Sequence, residues 1–311
     1  MKKKMSLGLV FTAVLVLFGM MLSAADGPDR VTIKQDDTIR GVKAKIQEMR
    51  EEIARKGYSF EVGFNSAMQY SLDELCTFNP DLAGPYDYEH EGNEMDFLSR
   101  EMALPTSYTG VYTPIKDQAN CGSCWAFSMT AQVETTAKRL TGTTYDLSEQ
   151  YVLDCTNKRW GCNGGNFDYV TFMSPYGALA ESCRPYTARK QRPCSTGGCP
   201  VVYQISGWSY VGSSSSVPTT EAIKNAIYTY GGVGAAVYVD SLWQAYTSGC
   251  FDGNASGSCN HAIQLVGWDD TKCSGGAWRL KNSWGTGWGE SGFMWIGYGS
   301  QQVGYAANYT Y

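Results

Sequence analysis

The residues with the most chemistry in this chain are its cysteines and its two histidines. The stretch Asn120 to Ser128, NCGSCWAFS, sets Cys121 and Cys124 in a C-x-x-C ahead of an aromatic run. Such a pair can be a redox couple, half of a metal site, or a structural cysteine beside a reactive thiol. A redox couple would sit early in a βαβ pattern, which the flanking sequence lacks. A zinc site would want a second Cys/His pair at ligand spacing, and only one histidine lies in the later part of the chain. The third reading puts Cys124 at a helix N-terminus, where the macrodipole and unpaired N–H groups favour a thiolate. A thiol nucleophile needs a base. His90 falls in an acidic stretch, so His261 is the candidate, although a lone histidine opening the apolar run NHAIQLVGW could equally be a core residue.

These groups need elements to position them. A helix is expected from Ser123 or Cys124 to Leu140, with Ala126, Met129, Val133, Ala137 and Leu140 on one face and Gly142 beyond its end. LSEQYVLDC reads as a short helix capped by Ser148. A glycine- and cysteine-rich loop region follows to Pro200. The runs VVYQISGWSYV, GVGAAVYV, HAIQLVGW, AWRLKNSW and GFMWIGY then read as strands, interrupted by a helix at TTEAIKNAIYTY capped by Thr219 or Thr220. Helices first and antiparallel strands later define an α+β chain in two halves. The loop GSSSS at 212–216 is low in complexity.

The front of the chain has another texture. Ile39, Val42, Ile46, Met49 and Ile53 give an amphipathic helix from Asp36 to Lys56, stopped by Gly57. YSFEVGF reads as a strand and SLDEL as a short helical turn. Residues 85–101 are acidic and weakly patterned, an exposed linker. This part is too small and polar for a comfortable independent domain, so it reads as a docking domain or a removable pro-segment. Lys2, Lys3 and Lys4 precede an apolar run from Leu7 to Leu22, and Ser23, Ala24 and Ala25 then offer small residues for cleavage. The run is shorter than the ~20 residues of a spanning helix, which favours a signal peptide over a membrane anchor.

The chain has 311 residues and a formal charge of −5, with 25 basic against 30 acidic side chains. That balance gives no reason to expect nucleic acid as a partner. Eleven cysteines in an exported chain imply a disulfide framework.

Five motifs, KDQANCGSCWAFS, LSEQYVLDC, GCNGG, NHAIQLVGW and KNSWGTGWGESGF, occur in this order, and together they resemble the papain-like cysteine peptidases. The resemblance covers essentially everything from Leu104 to Tyr311. It implies a two-domain fold: a helical left domain, an antiparallel β-barrel-like right domain, and the active-site cleft between them. Cys124 would attack a peptide carbonyl. His261 would pair with the thiolate and protonate the leaving amine, and Asn282 would orient the imidazole. Gln118 and the Cys124 backbone N–H would hold the oxyanion. Trp284 would shield the Asn–His hydrogen bond. Gly164 and Gly165 would pair with an extended substrate. By alignment of motifs, Phe167, Ala236, Cys259, Ala262 and Asn308 would line an apolar pocket for the P2 side chain.

The resemblance also implies disulfides Cys121–Cys162 and Cys155–Cys194. Proximity in sequence suggests Cys183–Cys199 and Cys250–Cys259, leaving Cys273 over. The expected organisation is a signal peptide at 1–25, an inhibitory propeptide at 26–103 and a peptidase domain at 104–311. The expected protein is a secreted or lysosome/vacuole-like zymogen of a cysteine endopeptidase. It needs no cofactor and no metal, takes polypeptide substrates and its own propeptide, works as a monomer, and is free of membrane after signal cleavage. The rival readings are a catalytically dead papain-like binding protein, and a transpeptidase using the same thioester. NAS at Asn254 and NYT at Asn308 match the N-glycosylation pattern.

Overall fold

A computed structural model describes residues 39–82, 90–98 and 103–311. The expected signal peptide lies outside the described residues. The front helix α1 (Ile39–Lys56) ends at Gly57, whose φ of +69° is the left-handed conformation that closes a helix. It buries Ile46, Met49 and Ile53. Strand β1 (Phe60–Val62) follows, then α2 (Leu72–Leu75). The α2 turn is only four residues long and is held by a capping box between Ser71 and Glu74.

Helix α3 (Glu94–Leu98) corrects the linker expectation. Residues 90–98 are docked, not free. Phe97 is 2% exposed and sits edge-on to Tyr230 and Tyr309. The His90 ring stacks on Trp208 with centroids 4.1 Å apart. Glu91 accepts from the Ser214 amide at 3.0 Å, and Glu94 from the Thr219 amide at 2.8 Å. A charge-dominated window hides this because one apolar anchor suffices when its acidic neighbours find amide partners.

Helix α4 (Cys124–Thr141) is central. Buried residues lie on most of its sides, the pattern of a helix enclosed by other elements. Ala126, Met129, Val133 and Ala137 are buried as expected, but Leu140 is 58% exposed because the last turn runs beyond the core. Helix α5 (Glu149–Cys155) packs beside it, capped by the Ser148 hydroxyl on the Tyr151 amide. Strands β3 (Ala178–Leu179) and β4 (Val201–Tyr203) form a small ladder in this half.

The remaining elements are β2 (Ser107–Thr109), β5 (Trp208–Tyr210), α6 (Thr220–Tyr230), β6 (Val233–Val237), α7 (Ser241–Gln244), β7 (Tyr246–Phe251), β8 (His261–Asp269), β9 (Ala277–Lys281), β10 (Phe293–Gly297) and β11 (Tyr305–Thr310). Among the described residues, nine strands make one sheet in the order β1-β7-β10-β9-β8-β6-β11-β5, with β2 added on β8. The path is open rather than a closed barrel, and the β7–β10 pair is parallel. The front segment contributes its edge: β1 pairs antiparallel with β7.

Two apolar cores result. One lies in the sheet half and includes Trp243, Tyr246, Phe251, Leu265 and Trp288. The other surrounds α4 and includes Trp125, Val133, Leu153, Phe167 and Tyr169. Leu75 belongs to the first core and Phe78 to the second, so the front segment passes from one half to the other.

Cys121 is bonded to Cys162, Cys155 to Cys194 and Cys183 to Cys199. The fourth pair is Cys250–Cys273, which corrects the expected Cys250–Cys259. The sheet explains it. β10 pairs with both β7 and β9, which brings the turn after β8 against Cys250. Cys259 lies close in sequence, but the chain has left β7 by then and reached the other core. Cys259 is therefore the unpaired cysteine of that group, not Cys273.

Candidate active site

Cys124 is the first residue of α4 and is fully buried. The N-cap Ser123 makes no side-chain cap bond; its hydroxyl pairs instead with the Tyr186 hydroxyl at 2.6 Å. The first turn of α4 thus keeps its N–H groups free of a side-chain acceptor, and its positive end faces the thiol. The Cys121–Cys162 bridge fixes the loop before it to the glycine loop 161–165.

His261 opens β8 on the opposite wall. Its Nε2 is 2.8 Å from Asn282 Oδ1, which also accepts from the Ser283 amide. Nδ1 faces away from Asn282, and the Leu75 carbonyl of the front segment lies near enough to the ring to favour its charged form. The amide of Ala262, the next residue, points at the Cys124 sulfur, which places the two walls side by side.

The imidazole sits in an aromatic cage. Trp284 is 4.9 Å from it, Trp243 is 5.7 Å away, and Trp288 stacks on Trp243 at 4.7 Å. Trp284 therefore packs on the His–Asn pair rather than lining an open pocket. Sequence reasoning missed Trp243 and Trp288. Trp288 stood within KNSWGTGWGESGF, whereas nothing local marks Trp243, which reaches the site through α7.

Gln118 is fully buried and held twice to Ser283, by its backbone amide at 2.9 Å and by its Oε1 from the Ser283 hydroxyl at 2.8 Å. Its Nε2 donates to the Leu75 carbonyl at 2.9 Å and to the Cys121 carbonyl at 3.0 Å. The donor expected to receive an oxyanion therefore holds a carbonyl of the front segment.

The segment continues along the cleft. Asn79 donates to the Gly165 carbonyl at 3.0 Å and Gly165 to the Thr77 carbonyl at 3.3 Å. This is a parallel bridge between Phe78 and Gly165. Gly165 must lack a side chain, since a Cβ there would meet the Trp125 ring at 2.5 Å. Gly164 acts differently, closing a tight turn with Gly161 through two backbone bonds. The Phe78 ring lies 5.0 Å from Phe167, in the apolar cluster that contains Ala236, Cys259 and Ala262. Asn308 does not present its side chain to that pocket. It is fully buried and accepts from the Tyr169 hydroxyl at 2.6 Å, which also makes its sequon inaccessible in the folded chain. Asn254 is exposed, and its side chain accepts from the Tyr58 hydroxyl at 2.5 Å.

Burial under the segment sets the charges. It pushes the His261 imidazole down to about 4, against the raising effect of Asn282. It pushes the Cys124 thiol up, against the backbone amides that point at it. Both shifts oppose a thiolate–imidazolium pair while the segment is in place. Behind the site, Lys116 lies 2.8 Å from each of Glu134, Glu149 and Asp146. Burial works against its charge but is outweighed by the two glutamates, so Lys116 is held protonated.

A sulfur on a helix start and an imidazole–amide pair on a strand start, with a cleft between two cores, is the architecture of an enzyme that works through a thiol. A family model described as papain family cysteine protease matches residues 103–311. Ananain from Ananas comosus is 32% identical over 246 residues, which is 77% of this chain and 69% of the relative. Zingipain-2 from Zingiber officinale is 36% identical over 190 residues, 60% of this chain and 82% of the relative. Among solved structures, a recombinant stem bromelain precursor aligns with a TM-score of 0.70 at 27% identity, over 86% of this chain and 89% of that one. Digestive procathepsin L 3 of Tenebrio molitor larval midgut aligns with a TM-score of 0.70 at 27% identity, over 87% of this chain and 89% of that one. The chain belongs to the papain family of cysteine proteases and is a cysteine peptidase.

Proposed function

We propose that the chain is the exported zymogen of an endopeptidase, with a signal peptide at 1–25, an inhibitory propeptide at 26–103 and the peptidase domain at 104–311. Export is supported by the basic and apolar N-terminal run and by four disulfides. In the opened enzyme the Cys124 sulfur attacks the substrate carbonyl carbon. The oxyanion is held by Gln118 Nε2 and the Cys124 amide. His261 protonates the departing amine, leaving a thioester on Cys124. It then takes a proton from the water that hydrolyses the thioester. Asn282 keeps Nε2 engaged so that Nδ1 faces the sulfur.

The observation that carries the zymogen reading is the Leu75 carbonyl on Gln118 Nε2 at 2.9 Å. That carbonyl lies where an oxyanion would form, yet its peptide bond is poorly placed for cleavage. The would-be leaving nitrogen, Cys76 N, already donates to Leu72 O at 2.7 Å within the segment's own turn. Phe78 fills the apolar pocket from a chain running parallel to the Gly165 segment. The same pocket supports a preference for apolar or aromatic P2 residues, since Phe167, Ala236, Cys259 and Ala262 carry no charge.

Full-length chain and chain trimmed at Leu104 after folding should differ sharply. The trimmed form should label with an epoxide-type thiol inhibitor and hydrolyse a peptide library at apolar P2 sites, and the Cys124→Ala chain should do neither. Equal activity of the two forms would sink the zymogen reading, and a library profile led by P2 arginine would sink the specificity. Transfer of the acyl group to an added amine without release of free carboxylate would indicate a transpeptidase.

A further inference from the structure

The front segment carries one cysteine, Cys76, between two residues tied to the catalytic walls. Before it, the Leu75 carbonyl accepts from Gln118 Nε2 at 2.9 Å. After it, the Thr77 hydroxyl donates to the Gly122 carbonyl, and the Phe78 amide donates to the Asn260 carbonyl at 2.9 Å. Gly122 lies two positions before Cys124, and Asn260 directly precedes His261. The Thr77 amide points at the Cys124 sulfur, and the Phe78 amide lies near it. Cys76 is one peptide unit from the first of these amides, and it is near enough that charge on Cys124 pushes its own thiol up. A disulfide spans roughly 4.4–6.8 Å between α-carbons, a reach of one to two peptide units.

The cysteine inventory leads to the same pair. Of eleven cysteines, eight are in the four bridges, and Cys76, Cys124 and Cys259 are free. Cys259 is buried in the apolar wall of the pocket that holds Phe78. Cys76 and Cys124 are the two thiols that the segment's main-chain bonds bring together.

We propose that Cys76 and Cys124 form a disulfide in the uncut chain, a covalent latch on the nucleophile. The inference rests on Cys124 being that nucleophile. The oxidant is a low-molecular-weight disulfide of the kind present where exported chains fold. One thiolate of the pair attacks a sulfur of this disulfide and expels one small thiolate. The second thiolate of the pair then attacks the mixed disulfide, closes the Cys76–Cys124 bond and expels the other small thiolate. The two protein thiols are oxidised, the small disulfide is reduced, and the two protons lost by the protein thiols end on the two small thiols. Burial disfavours the thiolate at both positions, so the bond forms as the segment seats, before burial is complete. Reduction has a route in: Cys76 is half-buried and lines an open groove with Asp73, Asn79, Asn163 and Cys259. Activation then takes two events, reduction of the latch and removal of the segment.

The test is to fold the full-length chain with a glutathione-type redox pair, alkylate it under denaturing conditions without reductant, and map its disulfides by mass spectrometry. The expected map joins a Cys76 peptide to a Cys124 peptide and leaves Cys259 as the alkylated cysteine. With the segment cut at Leu104 after folding, mild reduction should take epoxide labelling of Cys124 from background to near completion. The Cys76→Ser chain cut in the same way should label without reductant. Recovery of Cys76 and Cys124 both alkylated, or a bridge from Cys76 to Cys259, would overturn the latch. If the bond maps as expected but chain trimmed and reduced after folding hydrolyses no peptide, the functional reading fails while the cross-link stands.

Discussion

Residues 60–82 and 90–98 both lie against the peptidase body, but they grip it differently. The first stretch works mainly through its backbone: β1 pairs with β7, the Leu75 carbonyl meets Gln118, and Thr77 and Asn79 bond to Gly165. It lies against the walls that carry Cys124 and His261. The second works mainly through side chains, with Phe97 between two tyrosines, His90 on Trp208 and Glu94 on the first turn of α6. None of these side-chain contacts involves Cys124 or His261. The contrast separates occupying the cleft from being attached to the body. Backbone pairing tolerates many sequences, as a cleft for varied peptides requires. Side-chain packing is specific and adds stability.

The largest effect should come from the apolar side-chain anchor inside the cleft. Phe78→Ala removes a buried ring, a change that costs about 3 kcal/mol, or roughly a hundredfold in an equilibrium. Because only the closed form holds the ring, reduced uncut chain should gain up to about a hundredfold in initial peptidase rate. No gain, with the chain verified uncut, would mean that Phe78 does not hold the segment down. Phe97→Ala should do the opposite: lose about 2–3 kcal/mol of unfolding free energy in denaturant titration while leaving that initial rate unchanged. If it raised the rate as well, the two stretches would be one device and the contrast would fall.

Acid should act on the cleft stretch through His261. His261 titrates at about 4 when covered, against an ordinary 6.5. Between those values an opened form binds a proton that the closed form does not, so opening becomes more favourable as the pH falls from about 6.5 to about 4. Below about 4 both forms are protonated and the gain ends. The rate of self-trimming should rise across that window by no more than about tenfold per pH unit, whereas exchange protection of the residue 90–98 amides should not follow it. A flat rate would remove His261 from the acid response. The smallest effect belongs to Glu94→Gln, which weakens a carboxylate at a helix start. It should cost no more than about 1 kcal/mol in thermal unfolding, with inhibition intact.

Much of the site was legible because its parts are local. Cys124 at a helix start, Ser148 as a cap and Gly165 in a tight loop each follow from neighbouring residues. Partners were legible only where a motif named them, as with Asn282 and Gln118. Cys250–Cys273 was not, since it depends on β10 lying beside both β7 and β9. The docking of residues 90–98 was not, since a single buried ring outweighs a run of charge. Asn308 was misplaced because alignment of motifs does not reveal that the Tyr169 hydroxyl would claim its side chain.

By itself, then, the sequence determined the α+β order, the helix that carries Cys124, the single base available to the thiol and the family. Those follow from periodicity, composition and motif, which are properties of the chain read in order. Only the tertiary structure decided which carbonyl meets Gln118, that Cys250 bridges Cys273 while Cys259 stays free, and that the front segment brings Cys76 near Cys124. Such facts depend on strands and loops remote in sequence being brought within a few ångströms, where burial and hydrogen bonding then set what each thiol and the imidazole can do.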